Sequence, residues 1–182
     1  LADTDYIVGT ESGISIGVKD SRVILWEDIP YAKPPIDDLR WKAPRLFDNN
    51  QVTKVIKPKE DNHCIQEPSS LGGAPGKDLI TGTEDCLYLD IRAPLNSKEL
   101  LPVMFWIHGG GNITGTKDLY DFSELIRKHK VVVVTLNYRL GALGWFTHPG
   151  IQDYQKGIDK TSNFGTLDII HALEWVKRNI DR

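Results

Sequence analysis

The chain has 182 residues, of which 40% are hydrophobic, and its formal net charge is −3 at pH 7. This length and apolar content suffice for the core of one ordinary domain. The absence of a basic block argues against a nucleic-acid partner. The longest apolar runs, such as VVVV at 131–134, are too short to span a bilayer. The first residue is Leu1 rather than methionine, which we interpret as a processed N-terminus compatible with export.

The elements predicted along the chain are short strands, followed by an alternation of strands and helices. Residues 6–27 read as short strands with a turn at 19–21, and a proline-rich loop follows at 28–44. Further strands are predicted within 86–94, 101–107 and 131–141, and helices within 119–130 and 163–180. The apolar spacing on the second helix predicts one buried face, formed by Ile169, Leu173, Val176 and Ile180.

This order of elements predicts an α/β fold. A strand, a helix, a buried strand and a second helix favour a mostly parallel sheet with flanking helices, preceded here by the short antiparallel strands. A sheet of these strands alone would leave a central strand unpaired. We therefore expect residues 1–182 to be the N-terminal portion of a single domain, completed by a downstream segment or a second chain.

Two stretches match patterns found in hydrolases. GISIG at 13–17 fits G-x-S-x-G, but more strand follows Ser15 where a nucleophile elbow needs a helix, so we interpret it as a chance match. Glycines 109–111 follow the apolar residues 103–107, and their backbone N–H groups can turn inward to stabilise an oxyanion. A plain strand-to-helix turn and a phosphate loop are the alternatives. The residues after the glycines lack the Lys-Ser/Thr spacing of a phosphate loop.

The two cysteines, Cys64 and Cys86, allow two interpretations. They are either unrelated buried thiols or a disulfide that closes the Gly-, Pro- and Ser-rich loop between them. Closing that loop would contribute roughly 3 kcal/mol on the chain-entropy model. Composition alone does not decide between the two.

Four stretches, in this order and spacing, resemble the type-B carboxylesterase and cholinesterase family, which has the α/β-hydrolase fold. They are TEDCLYLDIRAP at 83–94, PVMFWIHGGGNITG at 102–115, VVVVTLNYRLGALGWF at 131–146 and NFGTLDIIHALEWVKRNI at 163–180. The proline-rich loop at 28–44 resembles an early motif of the same family. The resemblance covers essentially the whole chain and corresponds to the N-terminal third of such a protein.

The resemblance implies roles for particular residues. Gly110 and Gly111 would be the oxyanion-hole donors. Cys64 and Cys86 would form the family's first disulfide, which favours an oxidising compartment and a secreted or periplasmic protein. Four charged residues would form two buried structural ion pairs, Arg40 with Glu84 and Arg139 with Asp168.

Other positions bear on substrate specificity. We expect Asn112 and His108 in the substrate pocket, with Asn112 in a place where the family has an apolar residue and His108 as a hydrogen-bonding support. Asp28 replaces the family's usual glycine, and we expect it in a surface loop with little consequence. The loop between Cys64 and Cys86 has no Trp, Tyr or Phe, which argues against choline esters.

The resemblance thus implies a serine carboxylesterase that acts on neutral small-molecule esters without a metal or cofactor. Its Ser, Glu or Asp, and His would lie downstream, so this chain would supply the oxyanion hole and be inactive alone. One alternative is a catalytically inactive cholinesterase-like binding or adhesion protein, against which the intact glycine run counts. Another is a small binding module of 182 residues, which its unpaired sheet edge disfavours.

Overall fold

The computed structural model describes residues 6–47, 53–97 and 99–182, and Leu1 lies outside them. The strands are β1 (Ile7–Thr10), β2 (Gly13–Ile16), β3 (Val18–Asp20), β4 (Val23–Pro30), β5 (Tyr88–Pro94), β6 (Val103–Ile107) and β7 (Val132–Leu136). The α-helices are α1 (Ser123–His129), α2 (Gly141–Gly144), α3 (Pro149–Gln152) and α4 (Phe164–Asn179). Short 3-10 turns lie at Asp37–Leu39 and Gly157–Lys160.

The strands form a two-stranded sheet and a five-stranded mixed sheet. β1 pairs with β2, and the larger sheet has the order β3-β4-β5-β7-β6. The pairs β3–β4, β4–β5 and β5–β7 are antiparallel, and β6–β7 is parallel. The predicted α/β class is confirmed, but among the strands of the described ranges only β6 and β7, which the α1 crossover joins, pair in parallel.

Helices cover both faces of the larger sheet. Alternate strand residues point to opposite faces, so Val134 and Leu136 face α4 while Val133 packs near α1. Trp175 of α4 is fully buried in the first of these layers, and its indole N–H donates to the Ser12 hydroxyl at 2.8 Å. The carboxyl ends of β6 and β7 are thereby fixed between packed layers.

The buried face of α4 differs from the predicted one. Leu173 was expected on that face, but its side chain is 44% exposed, whereas Ala172 and Trp175 are fully buried. The buried face is rotated about the helix axis relative to the predicted one, and it includes Asp168. A pattern of apolar residues cannot include an aspartate, so it placed the face too far to one side. Apolar periodicity therefore located the helix correctly and misplaced its inner face.

Ser15 lies within β2, where it pairs with Val8, and its side chain is buried. No strand-to-helix turn lies at this position. The structure therefore places the G-x-S-x-G match in a strand.

The loop between Cys64 and Cys86 is closed by a disulfide bond. Inside it, the backbone of Gln66 exchanges two hydrogen bonds with Thr81, and the N–H of Thr83 donates to the carbonyl of His63. Both cysteines are buried in the core beneath the carboxyl end of the sheet. The loop is thus fixed at its base.

We expect the Cys64→Ser/Cys86→Ser double variant of the full-length protein to lose about 3 kcal/mol of unfolding free energy. The disulfide closes a loop with a sequence separation of 22, and its removal frees the unfolded chain. Urea denaturation with and without reductant measures the change. Reduced wild-type protein should match the variant; equal stability of the oxidised wild type and the variant would contradict this account.

Candidate functional site

The glycine loop, defined here as residues 109–115, begins directly after β6 and His108. Gly110 and Gly111 have φ values of +109° and +63°. The carbonyl of Gly110 accepts hydrogen bonds from the N–H groups of Ile113 and Thr114, both at 3.1 Å. A Cβ on Gly110 would overlap the Thr114 carbonyl, so this turn requires glycine at that position.

Two backbone donors of this loop are free. In the part of the chain that the structure describes, the N–H groups of Gly110 and Gly111 have no acceptor. Both glycines are exposed, so their N–H groups are accessible to a ligand. An exposed pair of fixed N–H groups can bind a carbonyl oxygen or an anion.

His108 lies beneath the glycine loop and not on its surface. Its ring is buried and stacks on that of Tyr138, with 4.3 Å between the two ring centroids. Its Nδ1 atom lies 2.9 Å from the carbonyl oxygen of Gly109. The Tyr138 hydroxyl donates to the His108 carbonyl at 2.7 Å. Burial lowers the pKa of His108, although the bond to Gly109 offsets part of this effect. His108 is therefore a neutral support of the loop.

Gln66 connects the glycine loop to the disulfide loop. Its buried side chain accepts from the N–H of Gly115 at 2.9 Å and donates to the Gly115 carbonyl at 2.8 Å. The same amide accepts from the N–H of Ala74 and donates to the carbonyl of Cys64. Sequence analysis missed this residue, and its position two residues after a disulfide cysteine was the only local signal.

Asn112 is exposed at the tip of the glycine loop, with a φ of +63° that asparagine tolerates better than most residues. Its carbonyl accepts from the N–H of Gly141 at 2.7 Å. The tip of the glycine loop therefore rests on the first residue of α2.

Arg139 and Asp168 form a buried ion pair between the end of β7 and α4. Arg139 Nε and Nη2 donate to the two carboxylate oxygens at 2.8 and 2.7 Å, and the Arg139 backbone N–H adds a third bond at 3.1 Å. The side chains are 3% and 0% exposed. The pair fixes the segment that continues into α2, on which Asn112 rests.

Arg40 and Glu84 also pair, with two hydrogen bonds of 2.6 and 2.7 Å. The prediction of burial is wrong for this pair, because the Arg40 side chain is 39% exposed and that of Glu84 is 21% exposed. Arg40 follows the 3-10 turn of the proline-rich loop, which lies at the surface. Solvent screening therefore weakens this contact.

Asp28 contradicts the expectation of a surface loop. It lies within β4, is 3% exposed, and has a φ of +53° at an irregularity in the pairing between Trp26 and Ile29. Positive φ explains why glycine suits this position. The carboxylate is buried because it faces the ammonium of Lys117 at 3.1 Å, a partner that no sequence spacing revealed.

A metal-binding cluster of His, Cys, Asp or Glu is absent from the described ranges.

We expect Asp168→Asn in the full-length protein to cost about 3–5 kcal/mol of unfolding free energy, because it leaves the charge of Arg139 buried without a counterion. Guanidinium denaturation measures the loss. Glu11→Gln is the matched control, since it breaks the ion pair between Glu11 and Arg178. The side chains of Arg178 and Glu11 are 37% and 30% exposed, so this variant should cost less than about 1 kcal/mol of unfolding free energy. Equal losses for the two variants would contradict the assignment.

We expect stability to fall with acid partly through His108. Its folded pKa lies below the unfolded value of 6.5. As the pH falls below about 6.5, the unfolded chain binds a proton at His108 that the folded chain does not yet bind. The free energy of unfolding therefore decreases until the pH reaches the folded pKa. His108→Phe should flatten the pH dependence by less than about 1.4 kcal/mol per pH unit, the limit for one proton. Parallel curves for the two proteins in urea titrations between pH 5 and 8 would refute this.

Comparisons with known proteins identify the family of this chain. The model of the carboxylesterase family matches residues 2–182. The para-nitrobenzyl esterase of Bacillus subtilis is 39% identical over 97% of this chain and 35% of its own length. The fumonisin B1 esterase of Sphingopyxis macrogoltabida is 37% identical over 98% of this chain and 32% of its own length. The chain thus spans about a third of the relatives it matches.

Solved structures show the same fold. A thermophilic PNB esterase superposes with a TM-score of 0.80 at 38% identity, over 96% of this chain and 35% of that one. A carboxylesterase of Geobacillus stearothermophilus gives 0.78 at 34% identity, over 96% and 34%. No helix among the described residues is long and apolar enough to cross a membrane. The chain belongs to the carboxylesterase family and has the architecture of the α/β-hydrolase fold.

Proposed function

We propose that the protein containing this chain is a serine carboxylesterase, in which Gly110 and Gly111 form the oxyanion hole. The observation that carries the proposal is the pair of exposed N–H groups without an acceptor at the carboxyl end of β6. Family membership supports it, because the glycine loop lies in the matched region. The nucleophilic serine, the acid and the general-base histidine belong to the remainder of the protein, which completes the domain.

The reaction follows from these donors. The serine oxygen adds to the ester carbonyl carbon while the histidine takes the hydroxyl proton. The carbonyl oxygen becomes anionic and is stabilised by the N–H groups of Gly110 and Gly111. Collapse expels the alcohol, which receives the proton from histidine. Water then adds to the acyl carbon while histidine takes its proton, and the second tetrahedral oxyanion is stabilised by the same N–H groups. The bond to the serine oxygen breaks, the serine regains the proton from histidine and the carboxylic acid is released, so no cofactor is required.

The substrate proposed is a neutral small-molecule ester. The disulfide loop offers leucines at its surface, such as Leu71 and Leu79, and no aromatic ring that would bind a quaternary ammonium. Asn112 places an exposed amide beside the oxyanion donors. We expect this amide to favour acyl groups that can accept or donate a hydrogen bond.

The disulfide supports a location in an oxidising compartment, either secreted or periplasmic. The intact glycine loop supports an active enzyme over an inactive binding protein of the same fold. The two relatives named above are esterases by name.

We expect the full-length protein to hydrolyse p-nitrophenyl acetate and butyrate, and Gly110→Ala to lower kcat by about 10²–10³ with a smaller effect on KM. Alanine at this position must move away from the Thr114 carbonyl, which displaces an oxyanion donor. Steady-state kinetics measure both constants.

Gly9→Ala is the control, because its Cβ would meet no atom within 4 Å on β1. A folded wild-type protein that neither cleaves these esters nor reacts with a fluorophosphonate at serine would refute the esterase. A Gly110→Ala variant with wild-type kcat would refute the oxyanion role alone.

A further inference from the structure

A buried charge cluster lies directly behind the glycine loop. The Lys117 ammonium is 2.9 Å from Asp90, 3.1 Å from Asp28 and 2.9 Å from Asp118. The side chains of Lys117, Asp90 and Asp28 are 1%, 0% and 4% exposed, whereas that of Asp118 is 42% exposed. An ammonium has three donor protons, so these three carboxylates satisfy all of them.

The two buried carboxylates are themselves held in place. Asp28 accepts from the side-chain amide of Asn62 at 2.6 Å and from the N–H of Lys59 at 2.8 Å. Asp90 accepts from the Asp28 N–H at 2.9 Å. They lie on β4 and β5, which are already paired through their backbones. The acceptors for Lys117 are thus fixed independently of the glycine loop.

The cluster keeps Lys117 charged. Burial by itself lowers the pKa of its ammonium, but the carboxylates of Asp90, Asp118 and Asp28 outweigh burial and raise that pKa. Burial likewise raises the pKa of Asp90 to about 7, because Lys117 offsets only part of the desolvation. Three carboxylates face two cations, since Arg92 lies 3.7 Å from Asp90. Removal of Lys117 would leave the buried carboxylates of Asp28 and Asp90 without their shared cation.

Lys117 is two residues beyond the glycine loop and is tied to the sheet by its backbone as well. Its N–H donates to the side chain of Asn137, just after β7, at 2.8 Å. The N–H of Gly111 lies in the same planar peptide as the Gly110 carbonyl, so the hydrogen bonds that this carbonyl accepts fix the direction of that N–H within the loop. The place of the whole loop depends on contacts at its two ends, with His108 at one end and Gly115 and Lys117 at the other.

We propose that Lys117, bound between Asp28 and Asp90, is a positioning residue that fixes the place of the glycine loop and of the oxyanion N–H groups that this loop carries. The catalytic part of this inference rests on the proposed esterase function. Asp28 is the matching half of the device, because its buried carboxylate on β4 lies 3.1 Å from the ammonium.

The test uses the full-length protein and Lys117→Arg, which keeps the charge. A planar guanidinium cannot reproduce the three-way geometry of an ammonium, although it carries the same charge. The loop should therefore shift while the net charge of the cluster stays unchanged. We expect kcat for p-nitrophenyl butyrate to fall at least about tenfold, with KM changed less than about threefold. Affinity for a trifluoromethyl ketone, which mimics the tetrahedral intermediate, should fall by a similar factor.

A second variant, Asp28→Asn/Lys117→Met, removes one charge of each sign and guards against loss of folding. We expect the same fall in kcat. Lys128→Met is the control, because Lys128 pairs with Glu124 at the surface of α1, with side chains 65% and 69% exposed. It should retain wild-type kcat and inhibitor affinity. The positioning role is overturned if Lys117→Arg and the double variant also retain the wild-type kcat and the wild-type inhibitor affinity.

Hydrogen exchange separates this inference from the esterase proposal. The hydrogen-bonded amides of Ile113, Thr114 and Gly115 should exchange at least about threefold faster in Lys117→Arg than in the wild type. Amides of α4 should exchange at unchanged rates. If the wild-type protein cleaves no ester, the esterase proposal fails while faster loop exchange still supports the placement by Lys117. Unchanged exchange in the loop overturns the inference in either case.

Discussion

The backbone N–H groups of Gly110 and Gly111, which have no acceptor in the described part of the chain, impose the main constraint on the residues around them. An unpaired N–H is costly in the interior, so Gly110 and Gly111 lie at the surface. Their own turn contributes the bonds to the Gly110 carbonyl, which fix the direction of the Gly111 N–H through the planar peptide that the two groups share. The place of that turn depends on what fixes the residues before and after it.

Those fixed points come from elements that are distant in sequence. His108 stacks on Tyr138 after β7, and Gln66 brings the disulfide loop against Gly115. Lys117 reaches the carboxylates of β4 and β5. Hydrogen bonds and ion pairs are directional, and in a buried setting a misplaced partner loses its contact outright. This explains why polar side chains, and not apolar packing alone, surround the loop.

The buried charges fit the same interpretation. Arg139 and Asp168 fix the segment that leads to α2, and the carbonyl of Asn112 accepts a hydrogen bond from the first residue of α2. A buried ion pair contributes little net stability over an apolar pair of the same volume, because desolvation opposes the attraction. Its geometric contribution is larger, since three hydrogen bonds join Asp168 to Arg139. The exposed pair of Arg40 and Glu84 lacks this protection from water.

The sequence by itself determined the local features of this protein: the strands before and after α1, the long helix α4 and the glycine turn. Each depends on side-chain periodicity or on a positive φ, and both are properties of neighbouring residues. The roles of the glycines, the cysteines and the ion-paired residues came from resemblance to a family. Only the tertiary structure decided that Leu173 is exposed and Asp28 buried, that Gln66 binds Gly115 of the loop, and that Lys117 pairs with Asp90. The reason is that burial and charge pairing depend on contacts across 27 or 49 residues, which no local spacing encodes.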